Sequence, residues 1–330
     1  MSPAGPLDPA VAETRLAVRR ALAGLPAGAP VVVALSGGAD SLALAAAVGF
    51  EAPKLGLPAA SVTVDHGLQP GSSDIAAEAA RQATTLGLDP LIVCVEVDGE
   101  GGPEAAAREA RYRALAEAAE NASAAAILLG HTLDDQAETV LLGLARGSGA
   151  ASLQGMAPRG ELRGIPLLRP LLGVRRATLR AACAAQGLTP WEDPHNDDDR
   201  FTRVRVRHRV MPVLEEELGP GMAEALARTA EQLREDTGAF AEMIDEVIED
   251  IVEHAEAGIS VSVAALAANP AALRNRIIRH VVASEFGTSL SRTHTLEVAR
   301  LVTDWSGQGP IDLPGCRVRR VGSRIEFSAG

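Results

Sequence analysis

Residues 31–41 read Val-Val-Val-Ala-Leu-Ser-Gly-Gly-Ala-Asp-Ser. The β-branched run Val31 to Val33 has the character of a buried strand, and the Ala/Leu-rich stretch 42–48 that of a helix. Between them lie a hydroxyl, two glycines, an acid and a second hydroxyl, which makes the segment a strand, a tight loop and a helix start. Gly37 and Gly38 admit backbone dihedrals closed to other residues and let an anion approach closely. The helix N-terminus adds free N–H groups and a positive dipole end. Phosphate is the natural guest. A Walker loop requires Gly-Lys-Ser/Thr, yet Lys54 is the only lysine in the chain, and the dinucleotide pattern G-x-G-x-x-G is also absent. A corner in which Asp40 and Ser41 merely cap the helix accounts for the same residues without a ligand.

Working outward, 330 residues suffice for two ordinary domains, and 47% hydrophobic with 22% charged residues is a globular composition. Cys94, Cys183 and Cys316 lie far apart with no C-x-x-C, which argues against a zinc or cluster site and against a disulfide framework, and for a reducing compartment. No signal segment opens the chain, and no apolar run approaches the roughly 20 residues of a membrane span, so a soluble, cytoplasmic protein is expected. The net charge of -12 speaks against a nucleic-acid partner until its distribution is read. Residues 151–215 hold eleven arginines against seven acids, whereas acids crowd 215–256 on an expected amphipathic helix. One basic segment within an acidic body is thus a candidate for phosphate contact.

The first half alternates strand signals (31–35, 60–64, 91–97, 125–129 and 165–168) with helix signals (40–49, 73–86, 104–120, 134–145 and 175–186). This predicts an α/β fold with a Rossmann-like parallel sheet covered by helices, whose ligands sit at the carboxyl ends of the strands, at 36–41, 65–68, 98–111 and 130–138. After residue 215 the pattern changes to helices at 221–256, 270–286 and 292–305, a Ser/Val/Ala segment at 259–267 and a strand pair at 311–327. The expected organisation is a catalytic domain over 1–215 and a smaller, mainly helical domain over 216–330.

The second strand ends in Val64-Asp65-His66-Gly67-Leu68, where an acid can bind ribose hydroxyls and the backbone at Val64 and His66 can edge an adenine; a plain strand-end turn explains them equally. Arg108 and Arg111, three apart on a helix, can clamp an anion or pair with Glu104 and Glu109. In Gly130-His131-Thr132-Leu133-Asp134-Asp135-Gln136-Ala137-Glu138-Thr139, Thr132 and Asp135 fit a capping box. Three carboxylates in one turn beside a histidine are better explained if a cation or ammonium group sits among them. Along 200–209, Arg203 and Arg207 fall on one helical face and Arg205 and Arg209 on another, a solvated basic surface or a phosphate-binding one.

The Ser-Gly-Gly-x-Asp-Ser loop resembles that of the N-type ATP pyrophosphatases. With Asp-His-Gly-Leu, Arg-Glu-Ala-Arg-Tyr, Gly-His-Thr-Leu-Asp-Asp-Gln-Ala-Glu-Thr and Arg169-Pro170-Leu171-Leu172 in this order, the chain resembles the tRNA(Ile)-lysidine synthase family from about 30 to 215. The resemblance continues through Trp191 to Asp197 and Arg200 to His208, except that the family usually has Ser or Thr at His195 and Asn at Val204. It implies ATP and Mg²⁺ as cofactors, with Ser36, Gly37, Gly38, Ala39, Asp40 and Ser41, together with Val64 and His66, on ATP and Asp40 on the metal. It implies L-lysine held by Asp135 and Glu138, which also accept the amine proton, and Arg108 and Arg111 steadying the base or the AMP. Arg203, Arg205 and Arg207 would contact a tRNA(Ile) with a CAU anticodon. A short family form without a further C-terminal domain is expected, and a homodimer is compatible with the resemblance. The alternatives are a thiolase-type tRNA modifier, which would need placed cysteines, and a non-catalytic ATP sensor, which would not need three acids in one turn.

Overall fold

The computed structural model describes residues 7–67, 69, 71–96, 103–147, 149–255 and 258–330. By its internal contacts the chain divides into two compact units, Met1–Leu233 and Arg234–Gly330.

The first unit opens with α1 (Pro9–Leu22), started by Asp8, whose carboxylate accepts a hydrogen bond from the Ala10 N–H at 2.8 Å. Then β1 (Val31–Ala34), α2 (Ala39–Glu51), β2 (Ala59–Asp65), α3 (Ser72–Thr85), β3 (Asp89–Cys94), α4 (Pro103–Asn121), β4 (Ala126–Leu128) and α5 (Leu133–Ala145) alternate. A short α6 (Ala150–Leu153), the hairpin β5 (Arg159–Leu162) and β6 (Ile165–Leu168), and α7 (Arg176–Ala185) follow. The strand order is β3-β2-β1-β4-β6-β5, parallel throughout except for the antiparallel edge β5. All five expected strands and their helices are present; α1 and β5 are additions.

Because side chains alternate across a strand, Val31 and Val33 point to one face of the sheet and Val32 to the other. The first face packs against α1, α2, α3 and α7, with Leu22, Leu42, Leu44, Val48 and Leu179 fully buried. The second packs Val32, Val62 and Ile127 against Leu115 and Ala119 of α4. Both faces being covered is why these strands read as apolar runs and not as alternating ones.

From β1 the chain steps outward through α2 and α3 to β2 and β3, then crosses back over the other face through α4 to β4, so the order reverses between β1 and β4. A crevice forms at their carboxyl ends at such a switch point. Gly130, just past β4, sits against the backbone there: a Cβ on it would lie 3.2 Å from both the carbonyl carbon of Asp40 and the Cα of Ser41. The two strand-end loops can therefore touch only because residue 130 lacks a side chain.

Beyond α7, α8 (Thr202–Arg205) runs through a π-helical stretch (Val206–Val210) into α9 (Met211–Leu218), and α10 (Met222–Ile251) crosses the boundary between the units. Leu133 and Ala137 of α5 bury against Ala223 of α10, with Met211 of α9 alongside.

The second unit is richer in strands than the expected pair. The expected helix ends at Ile251, and β7 (Val252–Ala255) joins β8 (Gly258–Ser262) in a five-stranded antiparallel sheet of order β7-β8-β11-β10-β9. β9 is Ile311–Leu313, β10 Cys316–Val321 and β11 Arg324–Ala329; α11 (Val263–Ala268), α12 (Ala271–Phe286) and α13 (Arg292–Thr303) complete the unit. Alternation along β10 and β11 buries Cys316, Val318, Ile325 and Phe327 against Ile277, Val281 and Val298 of the helices. Among the described residues no helix is long and apolar enough to cross a membrane.

Candidate active site

The loop after β1 closes on itself. Ser41 Oγ accepts from the Ser36 N–H at 3.1 Å, donates to the Gly38 carbonyl at 3.0 Å and lies 3.0 Å from Ser36 Oγ. Gly37 has φ +84°, a left-handed value that favours glycine, and its carbonyl accepts from the Trp191 N–H at 2.9 Å. Gly38 caps α2 without any side-chain oxygen on the first-turn N–H groups. A helix end left uncapped by side chains, approached by a glycine backbone, suits a phosphate chain.

One strand away, α5 begins with Thr132, where the expected capping box is formed with one oxygen of Asp135 and leaves the other free for a different partner. Asp135 Oδ2 accepts from the Thr132 N–H at 2.8 Å and from Thr132 Oγ1 at 2.9 Å, while Thr132 Oγ1 accepts from the Asp135 N–H at 3.2 Å. Its other oxygen, Oδ1, faces the crevice and accepts from Arg176 Nη2 at 2.8 Å. Asp134 turns away to the start of α7, accepting from the Arg176 N–H at 2.7 Å and from Arg175 Nη1 at 3.1 Å. Glu138, whose side chain is only 2% exposed, faces inward with Asp135.

Cations fill the space among these acids. Arg176 spends each guanidinium nitrogen on a different carboxylate: Nε on Asp40 at 3.2 Å, Nη2 on Asp135 at 2.8 Å and Nη1 on Glu138 at 3.5 Å. Arg207 Nε donates to Glu138 at 2.8 Å, and Arg203 Nε lies 3.1 Å from the other Glu138 oxygen. Leaving one such buried acid unpaired costs roughly 3–5 kcal/mol, so the arginines and acids of this cluster are interdependent. Beside them opens a cavity of about 300 Å³, lined by Asp134, Glu138, Arg176, Arg207, Met211 and Glu215 among others.

Burial pushes the Asp40 carboxyl up to about 6 against the pull of Arg176, and the neighbouring Asp135 adds to the rise. Burial also opposes the charged form of Asp135, but Arg176 and the two hydrogen bonds from Thr132 outweigh it and hold that carboxyl below its usual range. For Arg176 burial is likewise overcome, by Asp135, Asp40 and Glu138, and its charge is reinforced.

A second, electropositive group lies along the same crevice. Burial drives His131 down to about 4, with Asp135 opposing and Arg169, Arg111 and Arg108 adding. Burial and Arg111 similarly lower His66, and burial lowers Arg111 itself. The Nδ1 atoms of both histidines are buried without a hydrogen-bond partner. Arg108 and Arg111 stack on Tyr112, at 5.0 and 5.5 Å from its ring centre, and among the described residues neither forms an ion pair. Val64 stands in the last turn of the pleat of β2, partly buried in the second core and one residue before Asp65.

Arg203 and Arg207 are brought to Glu138, as their shared helical face requires, but Arg205 is not. It folds back onto the carbonyls of Asp199 and Arg200, at 2.7 and 2.8 Å, while Arg209 pairs with Asp199. His195 lies off the crevice, its Nδ1 2.6 Å from Gln69 Nε2. Leu68, residues 98–102 and Glu256 lie outside the described residues, and the Glu104 side chain with them.

Arg175 and Arg176 were not among the expected site residues. A signal for them exists in the sequence: two arginines open a helix, where the positive dipole end disfavours cations, so a local rule is broken for some other gain. Trp191, which pins the loop through its backbone, leaves no such signal.

Asp40 also fits the metal that the resemblance implies. Its Oδ1 is buried with no hydrogen-bond partner, an orphaned carboxylate oxygen at the mouth of the phosphate loop. Among the described residues no three His, Cys, Asp or Glu side chains form a ready metal set. That suits Mg²⁺, which commonly takes one or two carboxylates and completes its shell with nucleotide phosphates and water.

A phosphate loop without a Walker lysine, at the switch point of a parallel sheet, defines a pyrophosphate-loop domain, and residues 15–214 match the family model described as a PP-loop domain. Residues 262–325 match a second model, the TilS substrate binding domain. The chain is 61% identical to the tRNA(Ile)-lysidine synthase of Leifsonia xyli over 91% of its own length and 90% of the relative's. With that of Thermobifida fusca it shares 51% over 97% and 98%, and with that of Streptomyces coelicolor 49% over 98% and 99%. Among solved structures, the U34-tRNA thiolase NcsA from Methanococcus maripaludis superposes with a TM-score of 0.59 at 20% identity, covering 68% of this chain and 79% of that one, a likeness of fold. The chain belongs to the tRNA(Ile)-lysidine synthase family, ATP-dependent ligases built on the pyrophosphate-loop domain.

Proposed function

We infer that this chain joins lysine to C2 of the wobble cytidine of a tRNA(Ile) with a CAU anticodon, through an adenylated tRNA, releasing AMP and pyrophosphate. The observation that carries the reading is the reach of one side chain: Arg176 touches Asp40 of the phosphate loop and both Asp135 and Glu138. The phosphate loop and the acid pair that this reading gives to the lysine ammonium are thus bridged by one guanidinium, which supports a shared site.

The cytidine O2 is a poor leaving group. In this reading it first attacks the α-phosphate of ATP while the loop of Ser36 to Ser41 and the N-terminus of α2 hold the departing pyrophosphate. Mg²⁺, held by Asp40, neutralises phosphate charge when bound. Arg108 and Arg111, lacking acid partners among the described residues, present positive charge to the AMP. Lysine then attacks C2 and AMP leaves with the O2 oxygen. An ammonium cannot attack, so it must lose a proton. In this reading Asp135 and Glu138 anchor the ammonium and accept that proton. Arg205, held by neutral groups, supplies positive charge toward the tRNA, while Arg203 and Arg207 beside it are committed to Glu138.

The cysteines give a thiolase reading no support. Cys94 is exposed on β3, Cys183 is buried with its Sγ 3.4 Å from the Ala39 carbonyl, and Cys316 belongs to the second unit. Purified protein should turn over, releasing AMP and pyrophosphate repeatedly, only when both tRNA(Ile) bearing CAU and lysine are present. Steady ADP and phosphate release, or full turnover without RNA, would rule the reading out.

A further inference from the structure

Arg203 and Arg207 reach Glu138, and Arg207 also comes within 3.6 Å of Asp135, but Arg176 is the guanidinium that also spans to Asp40. It is anchored from behind, since its own N–H donates to Asp134 at 2.7 Å, so the side chain can leave the acids while the start of α7 stays in place. Its side chain is 17% exposed and borders the 300 Å³ cavity, so it has somewhere to go.

We propose that Arg176 is a stand-in cation that couples the two substrate sites: it occupies the place of the lysine ammonium between Asp135 and Glu138 and lets go only when Asp40 is also claimed. This rests on the lysine-joining reading. Arg176, Arg203 and Arg207 already crowd the oxygens of Glu138, and Arg176 and Arg207 those of Asp135, so an ammonium entering between the two acids must displace a guanidinium contact. Lysine arriving alone must displace a cation held by three acids. Once metal and nucleotide engage Asp40, one of the three anchors is lost and the exchange becomes easier. The reverse holds by linkage, lysine easing the approach to Asp40. The arrangement favours lysine binding in the presence of ATP, and it keeps three partly buried acids neutralised until then.

The test is calorimetric titration of L-lysine into the full chain, with and without Mg²⁺ and α,β-methylene-ATP, for wild type, Arg176→Gln and Arg176→Lys. Wild type should bind lysine about tenfold tighter with the analogue. In Arg176→Gln lysine should bind without the analogue nearly as well as wild type does with it, and the analogue's effect should fall below about twofold. Arg176→Lys, whose ammonium cannot span three acids, should show an intermediate ratio, and it decides the matter should the glutamine variant fail to fold by circular dichroism. A wild-type ratio in a folded variant overturns the proposal, as does loss of lysine binding in Arg176→Gln, or a more than tenfold loss of analogue binding, which would make the arginine a phosphate ligand. Equal lysine affinity with and without the analogue in wild type overturns the coupling alone. A wild type that binds the analogue but never lysine overturns the lysine-joining reading itself.

Discussion

Two corners of this protein are built alike and completed differently. Each follows a strand of the central sheet, β1 or β4, and combines a glycine, a hydroxyl and an acid at the start of a helix. The loop at 36–41 is finished by its own neighbours, since Ser41 bonds back to Ser36 and Gly38 within five residues. The turn at 132–138 is finished by Arg176, Arg203 and Arg207, at least 38 residues away along the chain. A locally closed site is preorganised for one rigid ligand, here a phosphate chain. A site closed by long, remote cations can exchange them for a substrate cation.

The most demanding test of this contrast separates the corners by reaction step. Asp135→Asn keeps the shape of the capping box but loses the charge that holds an ammonium. It should still adenylate tRNA and release pyrophosphate, while lysine incorporation falls by on the order of 10² or more. Asp40→Asn should already fail at pyrophosphate release. Single-turnover reactions with labelled ATP, following adenylated tRNA and lysine incorporation separately, measure both. If Asp135→Asn stops adenylation as fully as Asp40→Asn, the two corners form one ATP site.

The contrast also explains what could be read from the residues alone. The β1 corner was legible as a strand, a tight loop and a helix start, because Ser36, Gly38 and Ser41 lie within a few residues, whereas Trp191 on Gly37 and Arg176 on Asp40 were not. The sheet was legible as well, since buried parallel strands announce themselves as Val/Ile/Leu runs. The acid turn showed only half of itself. Repulsion among Asp134, Asp135 and Glu138 called for a cation, but nothing local named Arg176, which the fold delivers from α7. The face shared by Arg203 and Arg207 was visible from helical spacing, whereas their common target, Glu138, was not. In the second unit Val252 and the residues after it continue an amphipathic pattern, and only pairing with β8 turns them into a strand.

A smaller effect distinguishes the corners by pH. Asp40, raised to about 6 by burial with Asp135 adding and Arg176 opposing, should protonate where Asp135 does not. Below pH 6, affinity for the Mg²⁺–nucleotide analogue should fall about tenfold per unit as a proton competes for the carboxylate. Asp40→Asn, weak throughout, should lack that step and thereby reveal any contribution from the nucleotide's own titration. The stability terms have opposite signs. Because its folded-state value is raised, Asp40 contributes stability present below pH 4 and lost as pH rises through 6. Asp135, with a depressed value, contributes stability present at neutral pH and lost on acidification. Calorimetric titrations between about pH 5 and 8 follow the affinity, and thermal melts extended down to about pH 3 follow the stability terms. An affinity step identical in wild type and Asp40→Asn would remove Asp40 from the metal.

The smallest effect concerns how far the remote cations are committed to the protein. Arg203 and Arg207 are spent on Glu138, whereas Arg205 closes onto neutral groups, the main-chain carbonyls of Asp199 and Arg200 and the Thr202 hydroxyl. Main-chain carbonyls leave the guanidinium its full positive charge, so Arg205 remains available to a phosphate in a way the other two are not. Replacing it with alanine should weaken tRNA binding modestly and reduce the log-log slope of affinity against salt by about one. Lysine and nucleotide affinities should stay as in wild type. Arg207→Ala, by contrast, should disturb lysine affinity, because it strips a partner from a nearly inaccessible glutamate, whatever it does to RNA. Filter-binding isotherms over a range of salt concentrations, paired with lysine titrations, separate the two. An unchanged salt slope in Arg205→Ala would leave that arginine as a tie for the turn, and the basic segment would then serve the acid cluster and not the RNA.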